Sequence, residues 1–432
     1  MRSTERHAHA FSALEEALRL NADDTDAENL LETLEGATNL RGLVIVSVIV
    51  AATGGALFAT GRASGQPLLI FAAKLLLLVG IASATLAWGS RRLLGASRAK
   101  TVMLNMALVL GSLLIAAVLG EFAARIALRG ITTTGRGGYF FHRWTAGHVR
   151  LNSAGFRERE FDSVKPVGVY RIAILGDSFA FGFGIEESER FGNLMAEALG
   201  EKGAGVEVLN FGRAGADTGD ELEILKKTAL PVRPDYVLLQ WFVNDFEMSR
   251  DTRPQPLPLV PSWTLERLLH RYSALYYVCN ERWVALQGSL GLYPSYADYM
   301  RVRFADPFGV DSQAEISALT EFLRLLRAGN IPMGIVLFPD LRVIKQETYP
   351  FGYLHDRVLK FCDEQGTECL DLRGLMARAS TTSKLKVNRF DGHPNAFANR
   401  IAADALLERF GSTWRAGSAQ EPLRSWKLRP KP

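Results

Sequence analysis

Three long apolar stretches, Leu43–Thr60, Leu68–Trp88 and Val102–Ala127, fall in the first third of this 432-residue chain. Each is close to the roughly twenty apolar residues that cross a bilayer as a helix. The sequence therefore predicts three transmembrane helices over residues 41–129, and 48% hydrophobic content agrees with a membrane protein. Cytoplasmic loops retain lysine and arginine. The second loop, "GSRRLLGASRAK", holds Arg91, Arg92, Arg98 and Lys100, whereas the first, "GRASGQP", holds Arg62 alone. That bias puts the second loop and the N-terminus in the cytoplasm and everything after Arg129 outside. The expectation is a multi-pass protein of the cell inner (cytoplasmic) membrane, partnered by the lipid bilayer, with its larger half on the periplasmic or extracellular side.

Glu121 and Arg125 stand four apart at the outer end of the third stretch, a spacing that pairs them on one helix face, more readily as an interfacial anchor than as a functional intramembrane pair. Residues 1–40 are acidic, with apolar residues at helical spacing, and read equally as an amphipathic cytoplasmic segment or a partly disordered tail. A net charge of +4, with basic residues dispersed along the chain, excludes nucleic acid as a partner. The cysteines match no zinc-ligand spacing, and no metal or cofactor is expected. Cys362 and Cys369 are close enough to bridge if they lie outside the cytoplasm, and two free thiols fit as well.

From about Gly130 the pattern changes. Short apolar, β-branched runs at Tyr170–Leu175, Val206–Phe211, Tyr236–Phe242, Met333–Phe338 and Glu368–Leu372 read as strands. Between and after them, Phe191–Glu201, Asp220–Ala229, Ala314–Ala328, Tyr353–Glu364 and Asn395–Phe410 read as helices. Such alternation predicts an α/β domain over residues 130–410 with a mostly parallel five-stranded sheet and helices on both faces. An insertion at about 247–312 and a basic tail at 411–432 complete the division.

In open sheets of this kind, ligands bind outside the carboxyl ends of the strands. The residues predicted there make a chemical set. "GDSFAFG" puts Asp177 and Ser178 directly after the first strand. "GRAGADT" puts Gly215 in a turn after the second, "VND" puts Asn244 and Asp245 after the third, and "DGHPN" puts Asp391 and His393 before the last helix. A serine hydroxyl is a weak nucleophile until a base takes its proton, and histidine does so near neutral pH. The tetrahedral intermediate that follows needs preorganised N–H donors. Alone, Ser178 reads more readily as a helix N-cap than as a nucleophile.

Taken in order, "GDSFAFG", "GRAGADT", "VND" and "DGHPN" resemble the four blocks of the SGNH hydrolase superfamily, the GDSL-type esterases and lipases. The lead-in "LNSAGFRERE" is similar to the segment before the serine block in membrane-anchored bacterial members. The resemblance implies a three-layer α/β/α flavodoxin-like sandwich. It assigns Ser178 as nucleophile and backbone donor, Gly215 and Asn244 as the other oxyanion-hole donors, and His393 as base. Asp391, next before His393 among the acids, is the choice to orient the imidazole, and Asp177 and Asp245 read as supports of their turns. Two departures stand out: Phe242 replaces the usual glycine of the third block, and Asp391 precedes His393 by two residues rather than three.

These residues imply a serine esterase acting outside the cytoplasm on O-acyl, chiefly acetyl, esters of cell-envelope carbohydrate. The same residues serve an O-acyltransferase working with a membrane acyl-transfer partner, and the fold also serves a non-catalytic glycan-binding scaffold. A lipid substrate would call for a wide apolar cleft beside Ser178, and a glycan for a polar groove. Trp263, Tyr276, Tyr277 and Trp283 in the insertion are candidate lining residues, and helical spacing makes them candidates for packing too.

Overall fold

The computed structural model describes residues 96–134, 138–200, 205–248 and 254–417. The acidic segment 1–40, the first two apolar stretches and residues 418–432 lie outside the described residues.

In chain order the elements are α1 (Ala96–Ala127), α2 (Tyr139–His148), β1 (Tyr170–Leu175), α3 (Ser178–Phe181), α4 (Phe191–Ala198), β2 (Val206–Asn210), α5 (Thr218–Ile224) and β3 (Tyr236–Trp241). The insertion then forms α6 (Trp263–Tyr272), α7 (Ala274–Ser289) and α8 (Tyr296–Phe304). After it come α9 (Val310–Ala328), β4 (Met333–Leu337), α10 (Gly352–Gln365), β5 (Glu368–Asp371), α11 (Arg373–Thr382) and α12 (Ala396–Gly417). The chain divides into two units, residues 1–129 with 267–278, and residues 130–266 with 279–432.

In the first unit, α1 contains Val109–Ala127, 19 residues of mean hydropathy 1.8, which is long and apolar enough to cross a membrane. Its side chains at Val109, Leu113, Phe122 and Ile126 are exposed. Arg125 Nε lies 2.5 Å from Glu121 Oε1, so the expected pair forms. The carboxylate has a second task that spacing alone did not reveal. It accepts the backbone N–H groups of Ala274 (3.1 Å) and Leu275 (2.9 Å) and the Ser273 hydroxyl (2.7 Å). Glu121 thereby satisfies donors that the first turn of α7 leaves without intrahelical partners. Arg125 donates to the Tyr272 carbonyl at the end of α6 (2.9 Å).

In the second unit the strands form one parallel sheet of order β2-β1-β3-β4-β5. Each expected strand appears with its ends within one residue of those read from sequence. The runs are almost wholly apolar because β1 to β4 are buried on both faces. Right-handed crossovers decide the layers. The step from β1 to β2 runs one way along the sheet, and those from β2 to β3, β4 and β5 run the other. Their helices therefore lie on opposite faces, with α4 packed on α12, and α5 packed on α9.

Three boundaries need correction. The helix before β4 begins at Val310, four residues earlier than read and inside the stretch assigned to the insertion. The last helix runs to Gly417, seven residues into the stretch read as a tail, because Trp414 is fully buried and packs on Tyr236 and Phe410. The helix after β2 begins at Thr218, capped by the Asp217 side chain, which accepts the Asp220 N–H. Cys362 and Cys369 are joined in a disulfide between α10 and β5.

Candidate active site

The sheet order reverses direction between β1 and β3, which makes the crevice at their carboxyl ends the topological switch point. Ser178 follows β1 and Asn244 follows β3, so both stand at that crevice. The turn into α3 is tight: a Cβ at Gly176 would sit 2.5 Å from Gln240 Oε1. Gln240, buried on β3, uses that oxygen to accept the backbone N–H groups of Asp177 (3.2 Å) and Ala180 (3.0 Å). Asp177 caps α3 by accepting the Phe179 N–H at 2.8 Å. Ser178 is thus held from both sides of the turn.

His393 Nε2 lies 2.8 Å from Ser178 Oγ. Its Nδ1 bonds Asp391 Oδ1, which also accepts the His393 backbone N–H at 3.0 Å. A separation of two residues therefore closes the carboxylate onto its own histidine. With Nδ1 donating to Asp391, Nε2 turns its lone pair to the serine hydroxyl. Two rings fix the imidazole: Phe183 stacks on it at 4.9 Å and Phe179 meets it edge-on at 5.3 Å. Arg157, from the "GFRERE" lead-in, donates to the carbonyls of Gly182 (2.7 Å) and Ile185 (2.9 Å) and so holds the loop that carries Phe183.

Burial works against the imidazolium, but the Asp391 carboxylate outweighs it and raises His393 above its ordinary value. Burial likewise works against the Asp391 charge, and attraction to His393 overcomes it, leaving Asp391 below the usual carboxylate range. Asp177 is raised by burial.

Asn244 lines the same pocket as Ser178 and His393, and its Nδ2 is 3.4 Å from the Ala216 carbonyl. Asp245 sits behind it, fully buried. Its carboxylate accepts the Phe242 N–H (2.9 Å) while its own N–H donates to the Phe242 carbonyl (3.0 Å), closing the turn that presents Asn244. Phe242, at the position usually held by glycine, packs its ring 4.4 Å from Phe179 and joins the pocket wall. Gly215 lies in the loop after β2 with φ of +79°, which favours glycine. The pocket, about 250 Å³, therefore brings together Asp177, Ser178, Asn244, Asp391 and His393. Gly215 and Asp245 stand outside its lining.

The sequence reading missed part of this wall. Glu247, Tyr296 and Arg342 also line it. Tyr296 donates its hydroxyl to Glu247 (2.7 Å), while Arg342 pairs with Asp340 (2.6 Å) and covers the Tyr296 ring. The insertion does reach the pocket, through Glu247 and Tyr296, and not through Tyr276, Tyr277 or Trp283. Tyr276 and Tyr277 are buried as packing residues, and Trp283 donates to the Leu257 carbonyl. The Trp263 side chain lies outside what is described.

An α/β sandwich that sets a serine against a carboxylate-bound imidazole at its switch point has the architecture of a serine-type ester hydrolase. Residues 174–401, more than half of the chain, match the GDSL-like Lipase/Acylhydrolase family. The chain belongs to that family, within the SGNH superfamily, and is an ester-bond hydrolase. Solved structures similar to it include a lipolytic protein of the G-D-S-L family from Veillonella parvula, at 13% identity over 56% of this chain and 99% of that one, TM-score 0.35. A catalytic mutant of an acetylxylan esterase from Geobacillus stearothermophilus gives 13% over 61% and 100%, TM-score 0.37. The psychrotrophic esterase of a Pseudoalteromonas species gives 13% over 56% and 97%, TM-score 0.35. No curated protein matches the sequence.

Proposed function

We propose that this chain is a membrane-anchored serine esterase that removes O-acyl groups, chiefly acetyl, from cell-envelope carbohydrate outside the cytoplasm. The observation that carries the reading is the 2.8 Å approach of His393 Nε2 to Ser178 Oγ, with Asp391 on the far ring nitrogen. Ser178 Oγ attacks the ester carbonyl as His393 takes its proton, and Asp391 stabilises the imidazolium. The oxyanion is received by the backbone N–H groups of Ser178 and Gly215 and by the Asn244 amide. Collapse breaks the bond to the sugar oxygen, which leaves with the proton from His393. Water, activated by the same histidine, then releases the acyl group as the acid and restores the serine.

Three features support the finer parts of this reading. The pocket wall mixes polar groups, among them Asn244, Glu247 and Arg342, with the rings of Phe179, Phe242, Tyr296 and Phe390, a combination that suits the hydroxyls and C–H faces of a sugar. The exposed apolar side chains of α1, preceded by two further apolar stretches, suit a lipid anchor. A disulfide between Cys362 and Cys369 suits an oxidising compartment. The test is acetate release from acetylated xylan by the full chain in neutral detergent, wild type against Ser178→Ala. Release that vanishes in Ser178→Ala supports the reading. Covalent fluorophosphonate labelling of Ser178 without release from any acetylated glycan overturns hydrolysis in favour of transfer to another acceptor.

A further inference from the structure

Beside the Ser178 pocket lies a second cleft of about 620 Å³, and Arg342 belongs to the walls of both. Its floor is apolar, built on the buried side chains of Leu341, Ile344 and Leu385. Its other lining includes Lys345, Lys384, Lys386 and Arg389, and no carboxylate. Lys345, Lys384 and Arg389 are exposed and Lys386 is half-buried. Among the described residues, none of these four makes an ion pair with a carboxylate, whereas lysines and arginines elsewhere on the surface commonly do. Along the sequence the basic residues look dispersed. The fold gathers these from two segments, the loop after β4 and the stretch between α11 and the "DGHPN" block, so the charge is spread along two walls.

We propose that this cleft is the subsite for the alcohol part of the ester and that it takes an anionic stretch of polysaccharide, making the preferred substrate an acylated acidic glycan. The inference rests on the carbohydrate-ester reading above and names its substrate class. Unpaired cations lining an open cleft raise the local concentration of a polyanion and favour it over a neutral chain of the same shape, an advantage that salt removes. Apolar side chains on the floor suit the C–H faces of sugar rings. Arg342 lines both cavities, so the cleft adjoins the pocket where Ser178 stands and a chain seated in it would lie next to the reacting ester.

The experiment compares acetate release from acetylated polygalacturonate and from neutral acetylated xylan, with full chain in neutral detergent. The readout is the ratio of kcat/KM values. Wild type is expected to favour the acidic polymer at low salt, and the double substitution Lys345→Glu/Lys384→Glu, one exposed residue from each wall, to lower the ratio roughly tenfold or more. High salt is expected to erase the difference, and Lys345→Arg/Lys384→Arg to keep the wild-type ratio. An unchanged ratio in the glutamate variant overturns the subsite while leaving the carbohydrate reading intact. Loss of release from both polymers in equal proportion assigns the lysines to folding and also overturns it. If wild type releases acetate from neither polymer yet hydrolyses 4-nitrophenyl acetate through Ser178, the carbohydrate reading falls and the subsite with it. If the substitutions alter binding to phosphatidylglycerol vesicles and not the ratio, the cleft serves lipid and the proposal is wrong.

Discussion

Asp391 holds His393 twice, by backbone N–H and by Nδ1, and the charge on one decides the charge on the other. For a base that must be neutral to act, a raised pKa moves the acid limb of the pH profile upward. Activity should therefore fall as pH drops through a value above the ordinary 6.5 of histidine. Asp391→Asn removes the largest raising influence on His393 and leaves burial and the Arg342 charge opposed by Asp177 alone, so the limb should move to lower pH while kcat falls by roughly a thousandfold or more. An acid limb that stays in place in Asp391→Asn would remove Asp391 from its proposed role. Asn244→Ala should cost about a hundredfold in kcat with little change in KM, since the amide is proposed to meet the oxyanion and not the ground state. Ser178, Asn244 and His393 were legible because each sits where a strand or loop edge delivers it, in motifs whose chemistry fits together. Glu247, Tyr296 and Arg342 were not, because their neighbourhood depends on how the insertion folds back.

At the level of elements, the end of β3 rests on buried acids. Glu315 on α9 accepts from the Thr218 hydroxyl (2.9 Å) and the Trp241 indole (3.1 Å). Burial pushes its carboxyl up to about 7, against the lowering effect of those two bonds. Glu221 and Asp245 are raised too, by burial first and then by neighbouring carboxylates. A carboxyl raised in the folded state contributes stability that is fully present below its unfolded value. That stability is lost as pH rises through the folded value. For Glu315 the window runs from 4.5 to about 7, and the loss is on the order of 3 kcal/mol. Glu315→Gln keeps the acceptor without the charge, so its Tm should fall less than that of wild type between pH ~5 and pH ~8. Equal falls would place the acid outside the linkage. The strands were readable because sheets buried on both faces need continuous apolar runs. The far end of α12 was not, because Trp414 lies in a stretch rich in arginine and glycine and is recruited by Tyr236 from across the fold. Phe179 and Phe242 explain how the third block does without its glycine: the ring fills the wall that a bare backbone would leave open.

For the molecule as a whole, the proposed anchoring and outward orientation of the enzyme draw on the charge bias of the loops, on an apolar helix with exposed side chains and on a disulfide. Alkylation of the chain as isolated from intact cells should leave Cys362 and Cys369 unmodified until reductant is added. Immediate modification of both would contradict the proposed compartment. The central claim, that Ser178 is made nucleophilic by His393, has a direct measurement. The full chain is treated with a fluorophosphonate and digested, and the modified residue is read by mass spectrometry in wild type, His393→Ala and Asp391→Asn. The account predicts a single adduct, on Ser178, formed far more slowly in His393→Ala and at an intermediate rate in Asp391→Asn. An adduct on another residue, or labelling of Ser178 at the same rate in all three, would contradict it.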